Sequence, residues 1–195
     1  MKTKMCKLLV ASLFAALITS LGPSLVSAQD EKAAADQMQM PKPTKAHAVL
    51  KKEVGEWEAE VQVWMSPEGE PGKSKGKETV KMMGEFWIIT HFEYEFMGKP
   101  AFGHGLFGYD PNTEKYTGTW HDSMSPWPSQ MTGTFDESKK TMTYMMDGKD
   151  MAGKDQKSKI IVTYNDEKTK TFEMHTPVPG SDKLMKTVQI VYKKK

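Results

Sequence analysis

Arginine is missing from this chain. All 27 residues in the Lys+Arg count of its 195 residues are lysine, so there is no planar guanidinium fork to read guanine edges or clamp phosphates bidentately. Base-specific nucleic-acid recognition and arginine-clamped phosphoryl chemistry are therefore not expected. Cysteine is almost missing: Cys6 stands alone. It precedes the first apolar run, whereas a lipid-acceptor cysteine would follow such a run at a cleavage point, so no lipoprotein anchor is supported. That run, Leu8 to Leu21, has 14 residues, short of the about 20 that span a bilayer. Also lacking are a Gly-x-Ser-x-Gly elbow, a His-Glu-x-x-His pair and a glycine-rich phosphate loop with its lysine and hydroxyl.

What is there begins with an address. Lys2, Lys4 and Lys7 precede the apolar run, Gly22-Pro23 breaks it, and Val26-Ser27-Ala28 supplies small residues at the minus-three and minus-one positions. These are the parts of a secretory signal peptide over 1–28, with cleavage expected after Ala28 and export to the periplasm or the medium. Removing it leaves 167 residues without cysteine, and 24 lysines against 25 acidic residues turn the formal charge from +2 to −1. No basic footprint for nucleic acid or a membrane surface remains, and no integral membrane segment is expected in the mature chain. A disulfide-free exported domain must be held by its own core.

Residues 29–43, rich in Ala, Gln, Lys and Asp and containing Pro41 and Pro43, read as a flexible linker. Residues 44–195 read as one all-β domain. Thr44 is a plausible N-cap for a helix over 45–53, where Ala46, Val49, Leu50 and Val54 would cover one face, and Gly55 ends it. The period then becomes two: Trp57, Ala59, Val61, Val63 and Met65 alternate with polar residues. Strands are expected near 56–65, 74–83, 86–97, 101–109, 114–122, 129–135, 140–146, 157–164, 169–176 and 184–193, separated by turn signals such as Asp110-Pro111-Asn112 and Asp147-Gly148. About ten strands joined by hairpin-sized turns, behind one short N-terminal helix, predict an up-and-down antiparallel barrel, with a two-sheet sandwich as the fallback. The lack of helices between strands argues against a parallel sheet and a Rossmann-type site.

Two resemblances attach to particular residues. Gly103-His104-Gly105-Leu106-Phe107-Gly108-Tyr109-Asp110-Pro111, then Lys115-Tyr116-Thr117-Gly118-Thr119-Trp120-His121-Asp122-Ser123-Met124, resembles the signature of an exported bacterial family known as domain of unknown function fifteen seventy-nine. His47, Leu50, Val54-Gly55-Glu56-Trp57 and Gly133-Thr134-Phe135-Asp136 fit the same layout. The resemblance runs over roughly 41–193 and brings no activity with it. The short helix leading into Gly55-x-Trp57 is similar to the lipocalin and fatty-acid-binding superfamily, where that Trp closes one end of a ligand-holding barrel. Lipocalins commonly pair it with an arginine on a late strand, and this chain has none.

Side chains alternate between the two faces of a strand, so parity sorts candidate sites. Phe86, Ile88, Phe92, Tyr94 and Phe96 share the expected interior face. His91, Glu93 and Glu95 share the other, where they offer metal-ligand types but read more simply as a solvated surface. His104 shares parity with Phe102 and Leu106. If those point inward, the imidazole enters the barrel, as a core histidine or as a functional group of an enzyme. Tyr116 and Trp120 are expected to line the interior from the signature strand. His121, Asp122 and Ser123 cannot converge as a triad from adjacent strand positions, so Asp122 and Ser123 are expected to bond backbone groups at the strand end. Phe172 and Met174 mark the inward parity of their strand and should turn His175 outward, away from any haem.

Fourteen of 16 methionines follow the signal; they suit an adaptable cavity and equally a loosely specified core. The expectation is a small apolar or amphipathic ligand inside a barrel. No cofactor is predicted, with haem or a metal at His91, His104 or His175 left open.

Overall fold

The alternation that begins at Gly55 becomes ten antiparallel strands in the computed structural model, which describes residues 41–178, 181 and 183–195. The expected signal peptide and most of the linker lie outside those residues. The unit Lys42–Lys195 starts with helix α1 (Lys45–Glu53). It continues through β1 (Gly55–Val63), β2 (Gly72–Met83), β3 (Trp87–Phe96), β4 (Lys99–Asp110) and β5 (Lys115–Asp122). The second half is β6 (Ser129–Asp136), β7 (Thr141–Lys149), β8 (Asp155–Tyr164), β9 (Thr169–Pro177) and β10 (Leu184–Lys194). Every strand pairs with its sequence neighbours and β1 pairs with β10, so the sheet closes and no open edge is left. This is the up-and-down barrel that the turn spacing predicts, and the sandwich is set aside.

Parity explains the core. On β1, Trp57, Ala59 and Val61 are buried while Glu56, Glu58 and Glu60 face out. On β3, Ile88, Thr90 and Phe92 are buried between the exposed Trp87, Ile89 and Glu93. Among the described residues no helix is long and apolar enough to cross a membrane.

Helix α1 plugs one end of the barrel. Thr44 is its N-cap, and the backbone N–H of Thr44 donates to His47 Nδ1 at 2.9 Å. The imidazole thus plays the part that Glu or Gln takes in a capping box, which requires an unprotonated Nδ1. His47 is wedged edge-on between Phe86 and Tyr109. Tyr116 Oη donates to Ala46 O at 3.1 Å and Trp57 Nε1 donates to Glu53 O at 2.8 Å, tying both ends of the helix to the strands. Leu50, buried in the core cluster, faces the barrel interior, a burial that stabilises by about 1.5–3 kcal/mol. Among the described residues no helix covers the opposite end.

Candidate functional site: the barrel cavity

Inside the barrel is a cavity of about 350 Å³, within the range of small-molecule pockets. Its floor lies under α1, at Leu50, Glu53, Glu78, Tyr164, Lys170 and Tyr192; its walls include Ile88, Phe92, Phe107, Met131, Ile160 and Phe172. The lining continues to Val63, Phe96, Ser129 and Val188, at the strand ends farthest from the helix. Four loops at that mouth, 64–71, 97–98, 123–128 and 150–154, each expose a methionine: Met65, Met97, Met124 and Met151.

The floor is charged. Lys170, 4% exposed, donates to Glu53 Oε2 and, at 2.9 Å, to Glu78 Oε2. Its Nζ also lies 4.5 Å from the ring centroid of Trp57 and 4.6 Å from that of Tyr192. Burial opposes the ammonium, but Glu53 and Glu78 together outweigh it and hold Lys170 above the usual lysine range. Burial pushes the Glu78 carboxyl up, Lys170 opposes that shift, and Glu53 adds to it. Burial, reinforced by these carboxylates, keeps Tyr164 and Tyr192 as neutral phenols.

The mouth holds a second carboxylate site. Asp122 Oδ2 accepts from Tyr94 Oη at 3.0 Å and Trp120 Nε1 at 3.4 Å, and Oδ1 accepts the Met124 N–H at 2.7 Å. Burial, then the charge of Asp122, raises the Tyr94 phenol well above its ordinary value. Ser123 Oγ accepts from Phe102 N at 3.0 Å. Both residues thus bond backbone where the strand ends, as their sequence setting suggests. Asp122 also lines the cavity. Midway down the wall, Thr90 Oγ1 is buried with no hydrogen-bond partner.

The residues expected in the interior fall into three groups. Ile88, Phe92, Tyr94, Phe96 and Trp120 line the cavity. Phe86 and Tyr116 pack instead around the plug, against His47 and Ala46. Phe102, His104 and Leu106 point outward, which corrects the expectation for all three: Phe102 is 52% exposed, and His104 Nε2 lies 3.2 Å from His91 Nδ1 on the outer surface. The inward set of β4 is Ala101, Gly103, Gly105, Phe107 and Tyr109. The glycines face in because aromatic rings fill the space where their side chains would be. A Cβ on Gly103 would lie 2.1 Å from Trp120 Cζ2, and one on Gly105 2.4 Å from Phe107 Cε2. With His104 on the outer surface, the site expected around its inward imidazole is not formed.

His175 faces out beside Glu173, as expected from Phe172 and Met174, which line the cavity. Among the described residues no three His, Cys, Asp or Glu side chains are gathered so as to hold a metal ion. Sequence reading missed Glu53, Glu78 and Lys170. The signal was present: Glu78 shares parity with the buried Val80, and Lys170 with Phe172, two opposite charges at inward positions.

Comparison with known proteins places this geometry in context. The family model described as "Protein of unknown function (DUF1579)" matches residues 42–194. No curated protein matches the chain. Among solved structures, the barrel is similar to Rv2717c from M. tuberculosis, with a TM-score of 0.58 at 10% identity over 79% of this chain and 99% of the other. It is also similar to the S-type phycobiliprotein lyase CPES from Guillardia theta, with a TM-score of 0.51 at 9% identity over 80% and 98%. At such identities the likeness is one of fold alone, a β-barrel.

Proposed function

The chain belongs to the DUF1579 family of proteins of unknown function, and from its cavity we propose that it binds a small apolar or amphipathic molecule inside the barrel after export. The observation that carries this reading is the cavity itself: side chains just fill a barrel of about eight strands, a ten-stranded one is wider, and here about 350 Å³ is left open, walled by aromatic, aliphatic and Met side chains. Flexible thioethers at Met131, Met146 and Met174 let the wall adjust to a range of apolar shapes. Entry is through the end opposite α1, where the exposed methionines soften the rim.

Export rests on the N-terminal sequence, whose basic start, apolar run and Val26-Ser27-Ala28 supply the parts of a cleavable signal. Native mass spectrometry of the protein isolated from the cell envelope or medium tests both parts. A chain beginning at Gln29 with a bound apolar adduct is the expected result. An unprocessed cytoplasmic chain would overturn the export reading. A chain that neither carries an adduct nor takes up the neutral fluorophore N-phenyl-1-naphthylamine would overturn the binding reading.

A further inference from the structure

Four charged side chains line the cavity: Glu53, Glu78, Asp122 and Lys170. Three are carboxylates and one is an ammonium, and their placement divides them. Lys170 is committed, since its protons are directed at Glu53, at Glu78 and toward the Trp57 and Tyr192 rings. It offers no donor to an incoming carboxylate, and the two glutamates around it repel one. Asp122 differs from both glutamates. Its hydrogen bonds come from a phenol, an indole and a backbone amide, all neutral, and among the described residues no cation pairs with it. Two of its three donors, Tyr94 and Trp120, are aromatic side chains that also line the cavity.

A carboxylate without a cation, set among aromatic rings at the entrance to an apolar cavity, is complementary to one kind of group. The carboxylate attracts a cation by charge, the apolar rings beside it receive the chain that bears the cation, and partial exposure at the mouth limits the desolvation cost. Building on the proposal that the cavity binds an apolar or amphipathic molecule, we propose that its ligand class is the lipophilic cation. An ammonium group sits at Asp122 beside Tyr94 and Trp120, and the apolar portion runs down past Phe92. Fatty acids and other carboxylate-headed amphiphiles are disfavoured at both ends: Asp122 repels the headgroup at the mouth, and Glu53 and Glu78 repel it at the floor.

The experiment is displacement of N-phenyl-1-naphthylamine from the full chain by decylammonium, decanol and decanoate, which share one tail and differ in head charge. Decylammonium should compete about tenfold better than decanol, and decanoate worse than either. In Asp122→Asn, which keeps an oxygen acceptor for Tyr94 and Trp120, the advantage of the amine over the alcohol should fall toward one. Glu95→Gln, the same charge change on the outer face of β3, should leave that ratio as in the parent. If the fluorophore binds but the amine competes no better than decanoate, or keeps its advantage in Asp122→Asn, the cation assignment is overturned while the cavity reading stands. If the fluorophore does not bind, the cavity reading fails, and calorimetry with decylammonium showing no heat overturns the assignment as well.

Discussion

Lys170 stands over the indole of Trp57, its Nζ 4.5 Å from the ring centroid. The resemblance to lipocalins leads one to look for an arginine against this tryptophan, and the chain has none; a lysine on β9 supplies the cation instead. A compact ammonium can be drawn away by its counter-ions, and here Glu53 from the helix and Glu78 from β2 hold it on two sides. Plug, first hairpin and late strand are thereby joined through one buried charge. Lys170→Met removes that charge and leaves two carboxylates buried without a partner, which should cost about 3–5 kcal/mol. Urea denaturation measures it. Adding Glu78→Gln to the same chain should recover part of the loss, because one uncompensated carboxylate is gone. An unchanged midpoint for Lys170→Met would show that the cluster does not hold the plug.

The same cluster sets a pH dependence whose sign can be worked out. The folded-state pKa of Glu78 is raised above its ordinary value, chiefly by burial. Above about pH 4.5 the folded chain therefore holds more of that proton than the unfolded chain does, and stability falls as pH rises. Its contribution is greatest below the unfolded value and is lost as pH climbs through the folded one. Lys170, raised by its two glutamates against its own burial, adds a second fall of the same sign, beginning above about pH 10.5. The stability of the parent minus that of Glu78→Gln, from denaturation at intervals between pH 4 and 8, should shrink as pH increases. A difference that grows with pH would mean that Lys170 lowers the Glu78 pKa more than burial raises it.

Trp120 of β5 lies over Gly103 of β4 with no room for a methyl group between them. A Cβ at 103 would stand 2.1 Å from the indole, so Gly103→Ala must push Trp120 off the mouth. Overpacking of this kind costs about 1–3 kcal/mol. Moving the indole also removes its hydrogen bond to Asp122, so uptake of N-phenyl-1-naphthylamine should weaken in the folded variant. Gly98→Ala, at a mouth turn where a Cβ meets nothing but the φ is +75°, separates the effects: it strains the backbone without touching Trp120.

How far the sequence carries depends on what a strand pattern encodes. The helix at 45–53 and the ten strands were legible because alternation and turn chemistry are local properties. The inward face of β3 was legible for the same reason, since Ile88, Phe92 and Tyr94 repeat at period two. Strand β4 misleads because both parities carry apolar residues: Phe102 and Leu106 on one, Phe107 and Tyr109 on the other. What decides between them is the ring of Trp120 lying over Gly103 from the next strand, a cross-strand relation that no single segment records. The floor cluster is hidden for a related reason. Glu53, Glu78 and Lys170 lie 25 and 92 positions apart in succession, and only closure of the barrel brings them together.

Methionine provides a readout of the cavity without any added label. Oxidation to the sulfoxide follows exposure, and the thioethers here span nearly the full range: Met151 is 92% exposed, while Met142 is 1% exposed. Between these extremes, Met131, Met146 and Met174 line the cavity, so peroxide reaches them through the mouth. Brief treatment followed by peptide mass spectrometry should oxidise Met65, Met97 and Met151 first, the cavity set more slowly, and Met142 last. Saturating the barrel with N-phenyl-1-naphthylamine should slow the cavity set alone, since a bound molecule fills the path to them and leaves Met151 in water. Equal slowing at Met151 would instead indicate that the fluorophore sits on the rim, and protection of neither group would place it on the outer surface, near Trp87 and Phe102.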